Sequence, residues 1–382
     1  MKVLYYCDSD SGGIVEYAIK QVEALRGLGV NVVVLCRPGF PIERVKDGGC
    51  LALLPRRKSP RRLLAKLRVR VMDSRDLADI VADTAQNLDV NYVLNACYAE
   101  YFAPFWVKRW KRLRANVPIG VIAHDPVRDY ILGPRWWHRW SIREAYSFIQ
   151  DVFVHDDTPV DFGGRPPPGV RIHQLPHGPF DLGPVQNGRS QTRLNQGLEE
   201  GDQVFLSFGQ IRDGKNLDRF IRVMPFLPAF TKLVVAGKSD TSSQRPVSYY
   251  QELARSLGVA SRCVWIDRYI DDSELGDLFA AADFVLMVYS SRFRSASGVM
   301  NAAVTARKPI LGSSGDGPFK SSMENYGLGV FVEPDSDAAV KQGAIKLIET
   351  QSSPKWDAYE VENSWKANAS SIVDAIRNSK ES

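Results

Sequence analysis

The sequence lacks the signals of a disulfide framework and of a zinc site. Its five cysteines (Cys7, Cys36, Cys50, Cys97, Cys263) are odd in number, scattered, and never spaced as CxxC, which points to a reducing compartment. Histidine is as scarce, with five in 382 residues and no paired spacing that suits a metal. No metal and no cofactor are therefore expected. No apolar run approaches the roughly 20 residues of a membrane span. The opening KVLYYC runs straight into a polar loop instead of the apolar core of a signal peptide, so a cytoplasmic chain is expected. No internal repeat is visible. The glycine pair Gly12–Gly13 is not part of a GxGxxG fingerprint, which argues against NAD. What remains, 44% hydrophobic and 24% charged, is ordinary for a globular chain, and the length suits two or three domains.

Acidic residues are missing from one stretch. Residues 56–71, RRKSPRRLLAKLRVRV, hold eight basic side chains and no acidic one, and Leu63, Leu64, Leu67 and Val71 share a helical face. Two Trp-rich basic runs follow, FWVKRWKRLR (Phe105–Arg114) and PRWWHRWSIR (Pro134–Arg143). Between residues 51 and 150 there are 18 Lys and Arg against 9 Asp and Glu, so the rest of this +5 chain sums to about −4. Basic residues interleaved with Trp suit an anionic membrane surface, through 56–71 and 105–143. The competing reading is a solvated helix with one face on the core. No recognised nucleic-acid module accompanies the charge, so no nucleic-acid partner is expected.

Short apolar runs alternate with amphipathic ones along the chain. KVLYYC, VNVVVLC, NYVLNA, PIGVIAHD and FIQDVFVHDD read as strands of the first half, and RIHQLPHGPF ends that half. VFLSF, KLVVAG, CVWID, FVLMV and PILG read as strands of the second, with helices from Asn216, around Tyr249–Gly258, and around Asp272–Ala281. Such alternation gives parallel sheets with helices on both faces. Two loops of the second half follow strands and carry candidate chemistry. After VFLSF come Gly209, Gln210, Ile211, Arg212, Asp213, Gly214 and Lys215, where Arg and Lys three apart suit two phosphates. After FVLMV the loop closes with Ser295, Ser297 and Gly298 at a helix start, where free N–H groups form an anion site. The plain alternatives are a solvated basic loop and an ordinary strand–loop–helix turn. In an open parallel sheet, ligands sit beyond the carboxyl ends of the strands, which is where both loops fall.

The ordered set FGQIRDGKN, LVVAGKSD, SRCVWIDRYIDDSELGDLFAAADFVLM, SGVMNAAVTARKPIL and YGLGVFVEPDSDAAVKQGAIKLI resembles the nucleotide-binding half of GT-B glycosyltransferases, most closely the retaining family-four type. The resemblance covers Val204–Glu349 and extends more loosely over the first half. It implies an α/β fold of two Rossmann-like domains facing a cleft, with 1–180 the acceptor domain and 181–355 the nucleotide-sugar domain. Residues 356–382 would form a helix crossing back. It further implies transfer of a sugar from a nucleotide-sugar donor to a glycan or lipid-linked acceptor, with retention, in cell-surface polysaccharide synthesis. The carried-over catalytic positions are His124, Arg212 and Lys215. The donor-binding positions are Gly12, Gly13, Gly209, Gly237, Lys238, Ser295, Ser297, Gly298, Val299 and Asn301. His177–Gly178 matches the family's interdomain HG turn, for which a structural role is the stronger reading.

One departure bears on activity. Family members carry two glutamates eight positions apart around the second loop; the matching positions are Arg294 and Ala302. Ala302 offers no acceptor for ribose hydroxyls, and Asn301 is the nearest polar substitute, about 100° away on a helix. Arg307 stands where a glycine is usual. A non-catalytic homologue that binds nucleotide-sugar or glycan as a partner subunit is the alternative reading. A sugar-nucleotide epimerase is a third, for which the carboxylates and histidines are not placed. With the donor held in the family's pose, Ala302→Glu is expected to strengthen its binding.

Overall fold

The computed structural model describes all residues except 11, 46–47, 56–62, 129–130, 132, 156–158, 240–243, 351–352 and 380–382, and describes 63–68 only as helical backbone. The core of the basic stretch 56–71 therefore lies outside the described residues. The chain divides into two compact units, Met1–Gly178 with Ser364–Ser382, and Pro179–Asn363.

The first unit runs β1 (Lys2–Cys7), α1 (Gly13–Gly27), β2 (Asn31–Cys36), β3 (Cys50–Leu51), α2 (Leu63–Asn87), β4 (Tyr92–Cys97), α3 (Ala103–Arg114), β5 (Ile119–Ile122), α4 (Arg135–Tyr146), β6 (Asp151–Val154) and β7 (Arg171–Gln174). The described strands form one sheet in the order β3-β2-β1-β4-β5-β6-β7, and every pairing is parallel. Strand residues alternate between two buried faces, as a doubly covered sheet requires. Val3, Tyr5 and Cys7 pack with Val15, Ala18 and Val22 of α1. Leu4 and Tyr6 pack with Val81 of α2 and Trp110 of α3.

The second unit runs α5 (Gly188–Asn195), β8 (Gln203–Phe208), α6 (Leu217–Val223), β9 (Thr231–Ala236), α7 (Val247–Ser256), β10 (Cys263–Ile266), α8 (Asp272–Ala281), β11 (Phe284–Val288), α9 (Gly298–Thr305), β12 (Ile310–Ser313), α10 (Pro318–Tyr326), β13 (Gly329–Phe331), α11 (Asp337–Glu349) and α12 (Trp356–Glu362). Its described strands are parallel in the order β10-β9-β8-β11-β12-β13. α8 starts with a capping box between Asp271 and Glu274, which satisfies two of the helix's first N–H groups. The chain then returns to the first unit as α13 (Trp365–Asn378), starting at Ser364 and not at 356, because α12 stays with the second unit. Ile372, Val373 and Ile376 of α13 join the core beside α1.

The two Trp-rich runs separate. In α3, Trp106, Trp110 and Leu113 are buried, since positions i, i+4 and i+7 share the face on the sheet. These tryptophans are core, which corrects the membrane reading for Phe105–Arg114 except at exposed Phe105. In α4 the phase differs: His138, Ser141, Ile142 and Ala145 face inward, and Trp136 and Trp140 are exposed.

Candidate functional site

Each sheet is wound outward in both directions from a central strand, and the carboxyl edge beside that strand is where such sheets take ligands. In the second unit the central strand is β8 and the chain reverses between β8 and β11. The two loops singled out in the sequence leave these two strands.

Gly209 follows β8 with φ +88, and a Cβ there would stand 3.4 Å from Lys215 Nζ and 3.7 Å from the Val299 side chain. Glycine thus meets the backbone demand and keeps Lys215 and Val299 close to the strand end. Gly237, after β9, meets a different need: a Cβ there would strike the Gly209 carbonyl at 2.2 Å. It lets the two loops touch. Lys238 is exposed, and its backbone carbonyl accepts the Ile211 N–H at 3.1 Å.

Lys215 is half-buried and its ammonium turns back to donate to the Phe208 carbonyl. Burial, with the Arg212 charge second, pulls its pKa down to about 7. Arg212 is exposed and makes no ion pair among the described residues. It lies close enough to Tyr289 to oppose the rise in that hydroxyl's pKa, which burial causes.

The loop after β11 is tied down on both sides. Ser290 N–H donates to the Gly214 carbonyl at 3.0 Å and Gly315 N–H to the Phe293 carbonyl at 3.0 Å. The Ser313 hydroxyl donates to the Tyr289 carbonyl at 2.9 Å. Ser295 and Ser297 are buried. Ser297 occupies the N-cap position of α9 without a side-chain cap bond, its hydroxyl lying 3.4 Å from that of Tyr289. The N–H groups of Gly298 and Val299 have no partner among the described residues, and a Cβ on Gly298 would meet only open space. Free N–H groups and the helix dipole make this an anion-accepting end.

Carboxylates on these loops are committed elsewhere. Asp213 accepts from Arg245 Nε at 3.0 Å and from the Tyr250 hydroxyl at 3.1 Å. Asp335 accepts from Asn216 at 2.9 Å and from the Ser291 hydroxyl at 2.7 Å. Asp316 pairs with Lys320 at 2.9 Å. The balance of available charge at this edge is cationic: Arg212, Lys215, and exposed Arg292 and Arg294. Tyr289 and Asp335 escaped the sequence reading. The positive φ of Asn216 and Asp335 was the only local signal for that tie, and φ is not written in a sequence.

Two sequence expectations are corrected here. Asn301 is fully buried, and its side-chain oxygen accepts the Tyr359 hydroxyl of α12 at 2.6 Å. It is not placed to replace a ribose-binding carboxylate. Ala302 is also fully buried. Ala302→Glu is therefore expected to lower stability by roughly 3 kcal/mol or more, the cost of an unpaired buried carboxylate, and to leave donor affinity no stronger. Denaturant melts and calorimetry check this; a stable variant with tighter binding would contradict it. Arg307 takes the left-handed conformation, φ +52, that explains why glycine suits its position, and its guanidinium reaches Asp357 at 2.5 Å.

In the first unit, Gly12 has φ +83 and is the N-cap of α1, and Gly13 begins that helix. His124, just beyond β5, belongs to an aromatic cluster. Tyr17 meets His124 edge-on at 4.8 Å between ring centroids, His155 at 5.6 Å, His177 at 5.1 Å and Trp365 at 5.0 Å. His155 Nδ1 donates to the Leu175 carbonyl at 2.9 Å, leaving Nε2 bare. The Nε2 atoms of His124 and His155 are buried without partners. Burial first, and the neighbouring imidazole second, pulls each of the three pKa values down to about 3. A Cβ on Gly178 would strike the Trp365 ring at 2.2 Å, so the His177–Gly178 turn seats α13. Among the described residues no cluster of His, Cys, Asp and Glu is arranged to hold a metal, and no helix is long and apolar enough to cross a membrane.

Comparison with known proteins bears on the fold. By sequence, no curated protein matches. Three solved structures superpose over nearly the whole chain. HepE from Anabaena, in complex with UDP, has 14% identity and a TM-score of 0.73, covering 99% of this chain and 100% of its own. Sucrose-phosphate synthase from Thermosynechococcus elongatus has 14% identity and a TM-score of 0.72, covering 99% and 98%. WaaG, a glycosyltransferase involved in lipopolysaccharide biosynthesis, has 17% identity and a TM-score of 0.62, covering 97% and 95%. Residues 189–371 match the family described as Glycosyl transferases group 1, and the chain as a whole has the fold of the GT-B glycosyltransferases.

Proposed function

We propose that the protein moves a sugar from a nucleotide-sugar to a glycan or lipid-linked acceptor, with retention of configuration, in cell-surface polysaccharide synthesis on the cytoplasmic side of a membrane. The observation that carries the donor half is the convergence, at the switch point of the second unit, of Arg212, Lys215 and the free N–H groups of Gly298 and Val299. Such an edge suits a diphosphate, and stabilises it most when the sugar departs and negative charge grows on the leaving phosphate. No metal is invoked. Structures of HepE hold UDP and UDP-glucose, which supports a uridine nucleotide-sugar as the first donor to test. Retention, and contact of His124 with the donor sugar or acceptor, rest on the family resemblance.

A second reading, a nucleotide-sugar-binding homologue without transferase activity, is favoured by Arg294 and buried Ala302 at the positions of the family's glutamates. One experiment separates the two. Thermal shifts with UDP-, GDP-, ADP- and TDP-sugars are followed by assay of nucleoside diphosphate release. A donor present at 100 times its Kd should stabilise by about 2.7 kcal/mol. Stabilisation by one nucleotide class with release supports the transferase. Stabilisation without release, in the presence of glycan acceptors, supports the second reading. No shift with any donor contradicts both.

A further inference from the structure

We infer that the outer face of α4, with Phe105 beside it, docks the first unit on an anionic lipid surface. The inference rests on the membrane part of the proposed function and assigns it to named side chains. Along α4, Trp136 and Trp140 stand one turn apart, and they are 64% and 39% exposed. Trp137 meets both edge-on, at 5.9 and 5.4 Å between centroids. Its ring lies 5.9 Å from that of Phe105, which is 37% exposed. Four aromatic rings thus form one surface platform, preceded by exposed Ile131.

A second stripe runs beside the first. Arg135, Arg139 and Arg143 recur every four residues, one residue and so about 100° from the tryptophan positions. All three are exposed, and none makes an ion pair among the described residues. The acid on the same helix, Glu144, is taken by Lys111 at 2.9 Å. The inner face, with His138, Ser141, Ile142, Ala145 and Tyr146, is filled by the core. The composition decides the occupant. Trp rings prefer the headgroup region of a bilayer, where the ring is apolar and its N–H stays wet. Unpaired arginines fork onto phosphate oxygens. A neutral glycan would stack on the tryptophans and leave three arginines without partners.

Flotation of the full chain tests this, with vesicles of phosphatidylcholine alone and of phosphatidylcholine mixed with phosphatidylglycerol. Wild type is expected to float with the anionic vesicles and to detach as salt rises. Trp136→Ala with Trp140→Ala should weaken partitioning roughly tenfold or more, as loss of buried aromatic area requires. Arg135→Gln with Arg139→Gln should remove the preference for anionic over neutral vesicles. Phe226→Ala, at a side chain 65% exposed in the second unit, should change nothing. Unfolding is controlled by the melting temperature, and the donor site by the nucleotide-sugar thermal shift, which the α4 variants should keep. Absent vesicle binding, equal binding to both vesicle types, or tryptophan variants that bind like wild type would overturn the inference. Glycan binding lost in the tryptophan variants, with vesicle binding intact, would overturn it in favour of a sugar platform.

Discussion

Lys215→Met is expected to weaken nucleotide-sugar binding by roughly 1.5–3 kcal/mol, the range for a hydrogen bond to a charged group, or about one to two decades in Kd. Arg212→Ala should do the same. The fold should survive both changes. Arg212 is exposed, and Lys215 gives up only one bond to the Phe208 carbonyl. The lysine adds a proton linkage. Its folded pKa of about 7 leaves it half-charged in the free protein near neutrality, and a bound diphosphate raises that pKa. Below pH 7 the ammonium is already present. Above it, binding must take up a proton, so affinity should fall with rising pH, by up to about tenfold per unit. The Met variant should bind weakly with a flatter pH profile. Calorimetry of wild type and variant from pH 6 to 9 measures both effects. Equal affinities, or parallel pH profiles, would show that the lysine does not meet the phosphates.

The second large effect is acid unfolding of the first unit. His124, His155 and His177 are held neutral with pKa values near 3, whereas an unfolded chain titrates its histidines near 6.5. Between these limits the unfolded state binds more protons than the folded one, so stability falls as pH drops from about 6.5 towards 3. Each imidazole contributes about 1.4 kcal/mol per pH unit, and three together about 4. A domain with a stability of roughly 5–15 kcal/mol exhausts this within a few units. All five histidines of the chain lie at or before residue 177, so the second unit lacks this liability. Hydrogen exchange at pH 7, 6 and 5 should show amides of the first unit losing protection ahead of those in the second. His155→Gln should flatten the loss by about a third. Equal loss of protection in both units, or a first unit unaffected at pH 5, would contradict the clustering of neutral imidazoles.

The strands were legible because parallel strands covered on both faces read as unbroken apolar runs, and KVLYYC, VFLSF and FVLMV each lie at or within two residues of the observed elements. The loops at Gly209–Lys215 and Ser295–Gly298 were legible because a switch point gathers glycine, serine and cations at strand ends. The rest depended on contacts distant in sequence. Nothing near Asn301 announces that Tyr359, 58 residues on, will take its side-chain oxygen. Trp106–Trp110 and Trp136–Trp140 have the same spacing and similar basic neighbours. Only the phase of the other apolar residues, Leu113 in α3 and Ile142 with Ala145 in α4, turns one pair inward and the other out. His155 sits in no motif, and its place beside His124 and His177 follows from β5, β6 and β7 lying side by side.

The most direct test of the donor site is a crystal structure of the protein grown with the nucleoside diphosphate that gives the largest thermal shift. The diphosphate oxygens are expected about 3 Å from Lys215 Nζ, the Arg212 guanidinium and the N–H groups of Gly298 and Val299. Density for the diphosphate anywhere else, with those four groups left on solvent, would contradict the assignment of the donor site to the β8–β11 edge.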